Sequence, residues 1–156
     1  MAIKIISNFV IEDIVDMEGN KLGELKFNPN DTRIMEKLTG IVTMLNNSLK
    51  KLDAIKNVDE NLLNRDAETL EDFEKTAEVF ETLHQGFEIE NNYTIEIIDG
   101  LKEIFGNETI NIITQGTNDV ESVFPIFEFI MPYVQQQRAE RLNKYLKKNT
   151  NSDVME

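Results

Sequence analysis

Leu22-Gly23-Glu24-Leu25-Lys26-Phe27-Asn28-Pro29-Asn30-Asp31 is where this chain changes its hydrophobic period. Leu25 and Phe27 fall on one side of an extended backbone, Glu24 and Lys26 on the other, which is the period of two of a half-buried strand. Pro29 cannot donate to a strand ladder, and Asn30 or Asp31 can cap a helix. Beyond them Ile34, Leu38, Ile41, Leu45, Leu49 and Leu52 step by three and four. That spacing predicts an amphipathic helix of about six turns, ending near Ile55, even with Gly40 inside it. The same stripe is at the lower limit of length for a coiled-coil seam, and an intramolecular helix pair is the preferred reading.

Working back from the decisive stretch, Phe9-Val10-Ile11 and Ile14-Val15 are β-branched and aromatic, and Met17-Glu18-Gly19-Asn20-Lys21 reads as a turn. The first 29 residues therefore predict a β-hairpin. Two strands alone are marginal, so the hairpin must pack on helices.

Working forward, Asn57–Asn64 is a polar connection. Leu70, Phe73, Ala77, Phe80 and Leu83 predict a second helix over about 67–84, stopped by Gly86. Ile97, Ile98, Leu101, Ile104 and Phe105 predict a third over about 93–105, stopped by Gly106. Glu108–Gln115 reads as a short fourth, with Asn107 as cap and Gly116 as stop. A fifth opens at Asn118, which has Glu121 at capping-box spacing, and runs to about Lys148. Pro125 and Pro132 predict a kink or break within it. The polar stretch 149–156 reads as a flexible tail.

The fold expectation is α+β and mainly helical: one domain over 1–148, with a β-hairpin region (1–29) docked on a helical region (31–148) of four to five helices. The predicted core comprises Leu25, Phe27, Leu38, Leu45, Leu49, Phe73, Phe80, Ile98, Leu101 and Phe127.

Composition narrows the chemistry. The 156 residues are 40% hydrophobic and 29% charged, which is ordinary for a globular chain. No Cys is present, so disulfides, Cys-bound zinc, iron–sulfur clusters and thiol nucleophiles are excluded. The single His84 pairs with Glu81 as Glu-x-x-His, but a di-iron bundle needs two such motifs. The acids of 59–72 lack the glycine and ligand spacing of an EF-hand. No glycine-rich nucleotide loop, G-x-S-x-G or H-E-x-x-H occurs. No enzyme activity, cofactor or metal is expected.

Charge narrows the partners. Sixteen Lys and Arg face 29 Asp and Glu, for a net −13. Binding nucleic acid or an anionic membrane through a basic surface is not expected. Residues 57–108 hold 15 of the acids and three bases, whereas 138–148 hold five bases and one acid. The asymmetry fits either a solvated acidic face with a dipole-matched basic end, or docking of one copy's basic end on another's acidic middle. Met1-Ala2-Ile3-Lys4-Ile5-Ile6 has no leader-like apolar run, and no stretch is long enough to span a bilayer. The expected location is cytoplasmic, where the sequons at Asn46, Asn92 and Asn107 carry no meaning.

Val123-Phe124-Pro125-Ile126-Phe127-Glu128-Phe129-Ile130-Met131-Pro132-Tyr133-Val134 contains one charge. As a helix it is apolar nearly all round, so it is either a central core helix or part core and part partner surface. On the second alternative, Phe124, Phe127, Phe129, Met131 and Tyr133 are the candidate partner-binding residues.

The order of features is similar to a known family. The hairpin with Gly19-Asn20-Lys21, then Glu24-Leu25-Lys26-Phe27-Asn28-Pro29-Asn30-Asp31 and a long amphipathic helix, resembles tail assembly chaperones of long-tailed phages and prophages of Gram-positive bacteria. So does Ile104-Phe105-Gly106-Asn107-Glu108-Thr109 leading to an aromatic helix and a basic end. The resemblance spans roughly residues 20–150. It implies a non-enzymatic, oligomeric protein that keeps the coiled-coil-forming tape measure protein soluble during tail assembly. Such chaperones are often made in two lengths by frameshifting, and Lys147-Lys148-Asn149 is encodable as a run of A. The alternative from charge alone is an acidic mimic of nucleic acid that blocks a DNA-binding protein.

Overall fold

The computed structural model describes residues 1–53 and 70–154, with the side chains of Leu52, Asp53, Leu70, Asp72 and 147–154 left aside. The fold is α+β and mainly helical. An antiparallel hairpin of β1 (Val10–Val15) and β2 (Lys21–Phe27) precedes α1 (Thr32–Asp53), α2 (Leu70–Phe105), α3 (Asn107–Thr114), a 3-10 turn (Val120–Val123) and α4 (Phe124–Val154). The polar connection and the start predicted for the second helix lie outside the described residues.

The hairpin register pairs Val10 with Phe27 and Glu12 with Leu25. Leu25 and Phe27 are buried, as their alternation predicts. The hairpin approaches α3 closely at Gly23, where a Cβ would stand 3.3 Å from Cδ1 of Ile112. Asp13 lies opposite Glu24, and Lys21 relieves that repulsion by bridging both carboxylates. Its ammonium is held above the ordinary lysine range, chiefly by the hydrogen bond to Glu24.

Asp16 organises the turn. Its Oδ1 accepts from the backbone N–H groups of Glu18 and Asn20, each at 2.9 Å, while Gly19 takes φ +86°. The Asn20 N–H bond is the main reason the Asp16 carboxyl lies below its ordinary value of 3.8. A depressed carboxylate stabilises the fold above its unfolded pKa and loses that contribution as pH falls through the folded pKa. The amides of Glu18 and Asn20 are therefore expected to titrate with an NMR midpoint below 3.8. A midpoint at or above that value contradicts the turn geometry.

Of the two candidate caps for α1, Asp31 is the one used: its Oδ1 accepts from the Arg33 N–H at 3.0 Å. Helices α1 and α2 run antiparallel. Lys37 meets Glu103 at 3.7 Å, Ile41 lies over Gly100, and Lys51 stands 5.3 Å from the Tyr93 ring centroid. A Cβ on Gly100 would sit 2.9 Å from Cδ1 of Ile41. Gly100→Val is expected to cost about 1–3 kcal/mol by overpacking this crossing. An unchanged urea midpoint would show that the helices can separate freely there.

The structure corrects the sequence reading in five places. Gly106 holds the cap position before α3, and Asn107, read as the cap, is its first helical residue. The second and third predicted helices are one, because Gly86 stays helical within α2; an interior glycine costs only about 1 kcal/mol, which a long packed helix absorbs. The cap before α4 is Asp119, whose Oδ1 accepts from the Glu121 N–H at 3.0 Å, while Asn118 donates to Asn91 Oδ1 at 2.6 Å. Leu49 is 47% exposed; Ile41 and Lys51 face α2, and Leu49 lies about a third of a turn away from them. Phe73 and Phe80 are exposed as well. Val79 on the same half of α2 is buried, so the helix turns Val79 inward and Phe73 and Phe80 outward.

The core is one cluster. Leu25 and Phe27 from the hairpin, Leu38 and Ile41 from α1, Ile97 and Leu101 from α2, and Ile110 from α3 surround Val123, Ile126 and Ile130. Phe27 is its hub, meeting Phe105, Phe129 and Tyr133 edge-to-face with centroids 6.3, 5.6 and 5.5 Å away. Pro125 falls in the first turn of α4, where a missing N–H costs nothing, and Pro132 lies inside the helix. The helix continues to Val154, beyond the end near Lys148 read from the sequence.

Candidate functional site

The apolar segment 123–134 faces inward. Val123, Ile126, Phe127, Ile130 and Val134 are buried. Of the predicted partner-binding residues, Phe127 is 6% exposed, Phe124, Phe129 and Tyr133 are half-buried against the core, and Met131 is half-buried. The structure thus brings these five onto one helix, with their apolar area largely spent inside the molecule.

Apolar surface appears elsewhere. Phe73, Phe80 and Phe87 on α2 are 66%, 59% and 65% exposed. They recur every seven residues, and Ala77, His84 and Asn91 between them are exposed too. The steps are 4, 3, 4, 3 and 4, the spacing of a coiled-coil seam with Phe at each d position. Each Phe is followed by a glutamate, Glu74, Glu81 and Glu88, all exposed. These occupy the e positions, where charge selects the partner helix. The seam spans about 27 Å from Phe73 to Asn91. Phe73, Ala77 and Phe80 were visible in the sequence as part of a stripe ending at Leu83, but Phe87 lay beyond the stop read at Gly86, and periodicity reports only that a face is apolar.

Two hollows lie near conspicuous side chains. An open one of about 530 Å³ borders the end of the seam, lined by His84, Phe87, Glu88, Asn91 and Asn118. A larger one of about 780 Å³ lies between the hairpin, α3 and α4, with Ile14, Leu25 and Ile126 in its floor and Asp13, Asp16 and Glu128 on its rim. Among the described residues no group of three His, Asp or Glu side chains is placed to hold a metal ion. No described helix is long and apolar enough to cross a membrane.

Comparisons with family models, with curated proteins and with solved structures gave no match.

Proposed function

We propose that this chain is a non-enzymatic tail assembly chaperone of a long-tailed phage or prophage, acting in the host cytoplasm to keep the tape measure protein soluble. The observation that carries the reading is the exposed phenylalanine seam of α2. A heptad seam is matched by another helix of the same period, and a tape measure protein is a long coiled-coil former. The client helix lays its apolar stripe against Phe73, Phe80 and Phe87, as an amphipathic helix lies in a groove. The net charge of −13 keeps the complex in solution.

Co-expression with the tape measure protein of the same genome tests this. The wild-type chain is expected to hold the client in the soluble fraction, and a Phe80→Glu, Phe87→Glu double variant is expected to release it to the pellet. A client kept soluble by the double variant contradicts the seam.

The exposed Glu74, Glu81 and Glu88 also suit the second reading, an acidic mimic of nucleic acid. Such binding weakens steeply as salt screens the charges, whereas seam packing persists.

A further inference from the structure

The half of α4 that follows the core segment differs from the half before it. From Arg138 to Leu146 every side chain is exposed. Arg138, Arg141 and Lys144 form no ion pair among the described residues. Leu142 and Tyr145 lie one turn apart among these cations, 51% and 58% exposed. They line one side of an open groove of about 350 Å³ whose other side is Thr32, Met35, Glu36 and Thr39 of α1. The exposed run from Arg138 to Leu146 is about 12 Å long and faces two to three turns of a partner helix.

Two helix faces, one acidic with phenylalanine knobs and one basic with an apolar groove, are therefore open on the same molecule. Neither covers the other within the chain, since both are exposed. We propose that the occupant of the α2 seam, when no client is present, is the basic arm of α4 from a second copy. Phe80 and Phe87 of one copy enter the groove walled by Met35, Leu142 and Tyr145 of the other. Glu81 and Glu88 meet Arg138, Arg141 and Lys144. Two acidic seams repel one another, so the contact is heterologous, joining unlike faces, and leaves a free seam and a free arm on each dimer. Client and second copy then compete for one surface, and each further copy that joins head to tail masks the seam it docks on.

The proposal concerns the chain alone, so its test needs no client. Sedimentation of the purified full-length protein is expected to show concentration-dependent self-association that weakens with added salt. Arm reversal (Arg138→Glu, Arg141→Glu, Lys144→Glu) and seam reversal (Glu74→Lys, Glu81→Lys, Glu88→Lys) are each expected to weaken it by about 100-fold or more. An equimolar mixture of the two variants is expected to associate again, because each restores the opposite charge for the other. If either triple reversal unfolds the chain by circular dichroism, Phe80→Glu and Tyr145→Glu replace them. Each alone then loses association, and the mixture regains one intact contact. A wild-type chain that stays monomeric, a variant that self-associates as tightly as wild type, or a mixture that stays apart overturns the proposal.

Discussion

Phe27→Ala is expected to lower unfolding stability by about 3–5 kcal/mol, the range for removing a large buried aromatic ring. Phe27 is 2% exposed, and its ring is met edge-on by Phe105, Phe129 and Tyr133. Those rings belong to α2 and α4, so one side chain fastens the hairpin to both long helices. Each such pair adds about 0.5–1.5 kcal/mol beyond area burial. A domain of this size has about 5–15 kcal/mol in total, so the variant loses a large share of its stability. The hairpin cannot stand alone as two strands, and its amides are expected to lose hydrogen-exchange protection first. A urea midpoint within experimental scatter of wild type would show that the hairpin is not held by this ring.

A pair of charge substitutions separates core from surface just as sharply. Phe127→Glu places a carboxylate at a site that is 6% exposed, packed in the core cluster beside Ile126 and Ile130. An uncompensated buried charge costs several kcal/mol, so this variant is expected to unfold or to aggregate. Phe80→Glu puts the same group on a side chain that is 59% exposed. Surface substitutions of that kind usually fall within about 0.5 kcal/mol, so the variant is expected to keep the wild-type melting curve while losing client binding. Circular dichroism melts of the two proteins read the difference. A Phe80→Glu chain that melts early would mean that the seam is already covered by its own fold.

The contrast shows how far sequence pattern reaches. Alternation at Leu25 and Phe27, and the stripe through Ile34, Leu38 and Ile41, identify faces that the structure buries, because each has a facing element within the same chain. The stripe through Phe73 and Phe80 has the same spacing and the opposite fate. Spacing reports an apolar face, whereas burial depends on which element packs against it, and no local pattern encodes that. Gly86 failed as a stop signal because a packed helix of 36 residues tolerates a single glycine. Asn118 and Asp119 are both good caps, and the choice fell to Asp119 once Asn118 had a partner on α2. The apolar run 123–134 read as core or as partner surface, and only the packing around it shows Val123, Ile126, Phe127, Ile130 and Val134 buried. The candidate surface on α2 was legible as a stripe and not as a surface.

Because the chain has no Cys, a single Ala77→Cys substitution places one thiol in the middle of the seam, between Phe73 and Phe80. Its rate of maleimide labelling reads the accessibility of that face directly. In dilute isolated protein the thiol is expected to react at close to the rate of a free thiol, and in the co-purified complex with the tape measure protein it is expected to be protected. Slow labelling in the dilute protein, or an unchanged rate in the complex, would contradict a seam held open for a helical partner.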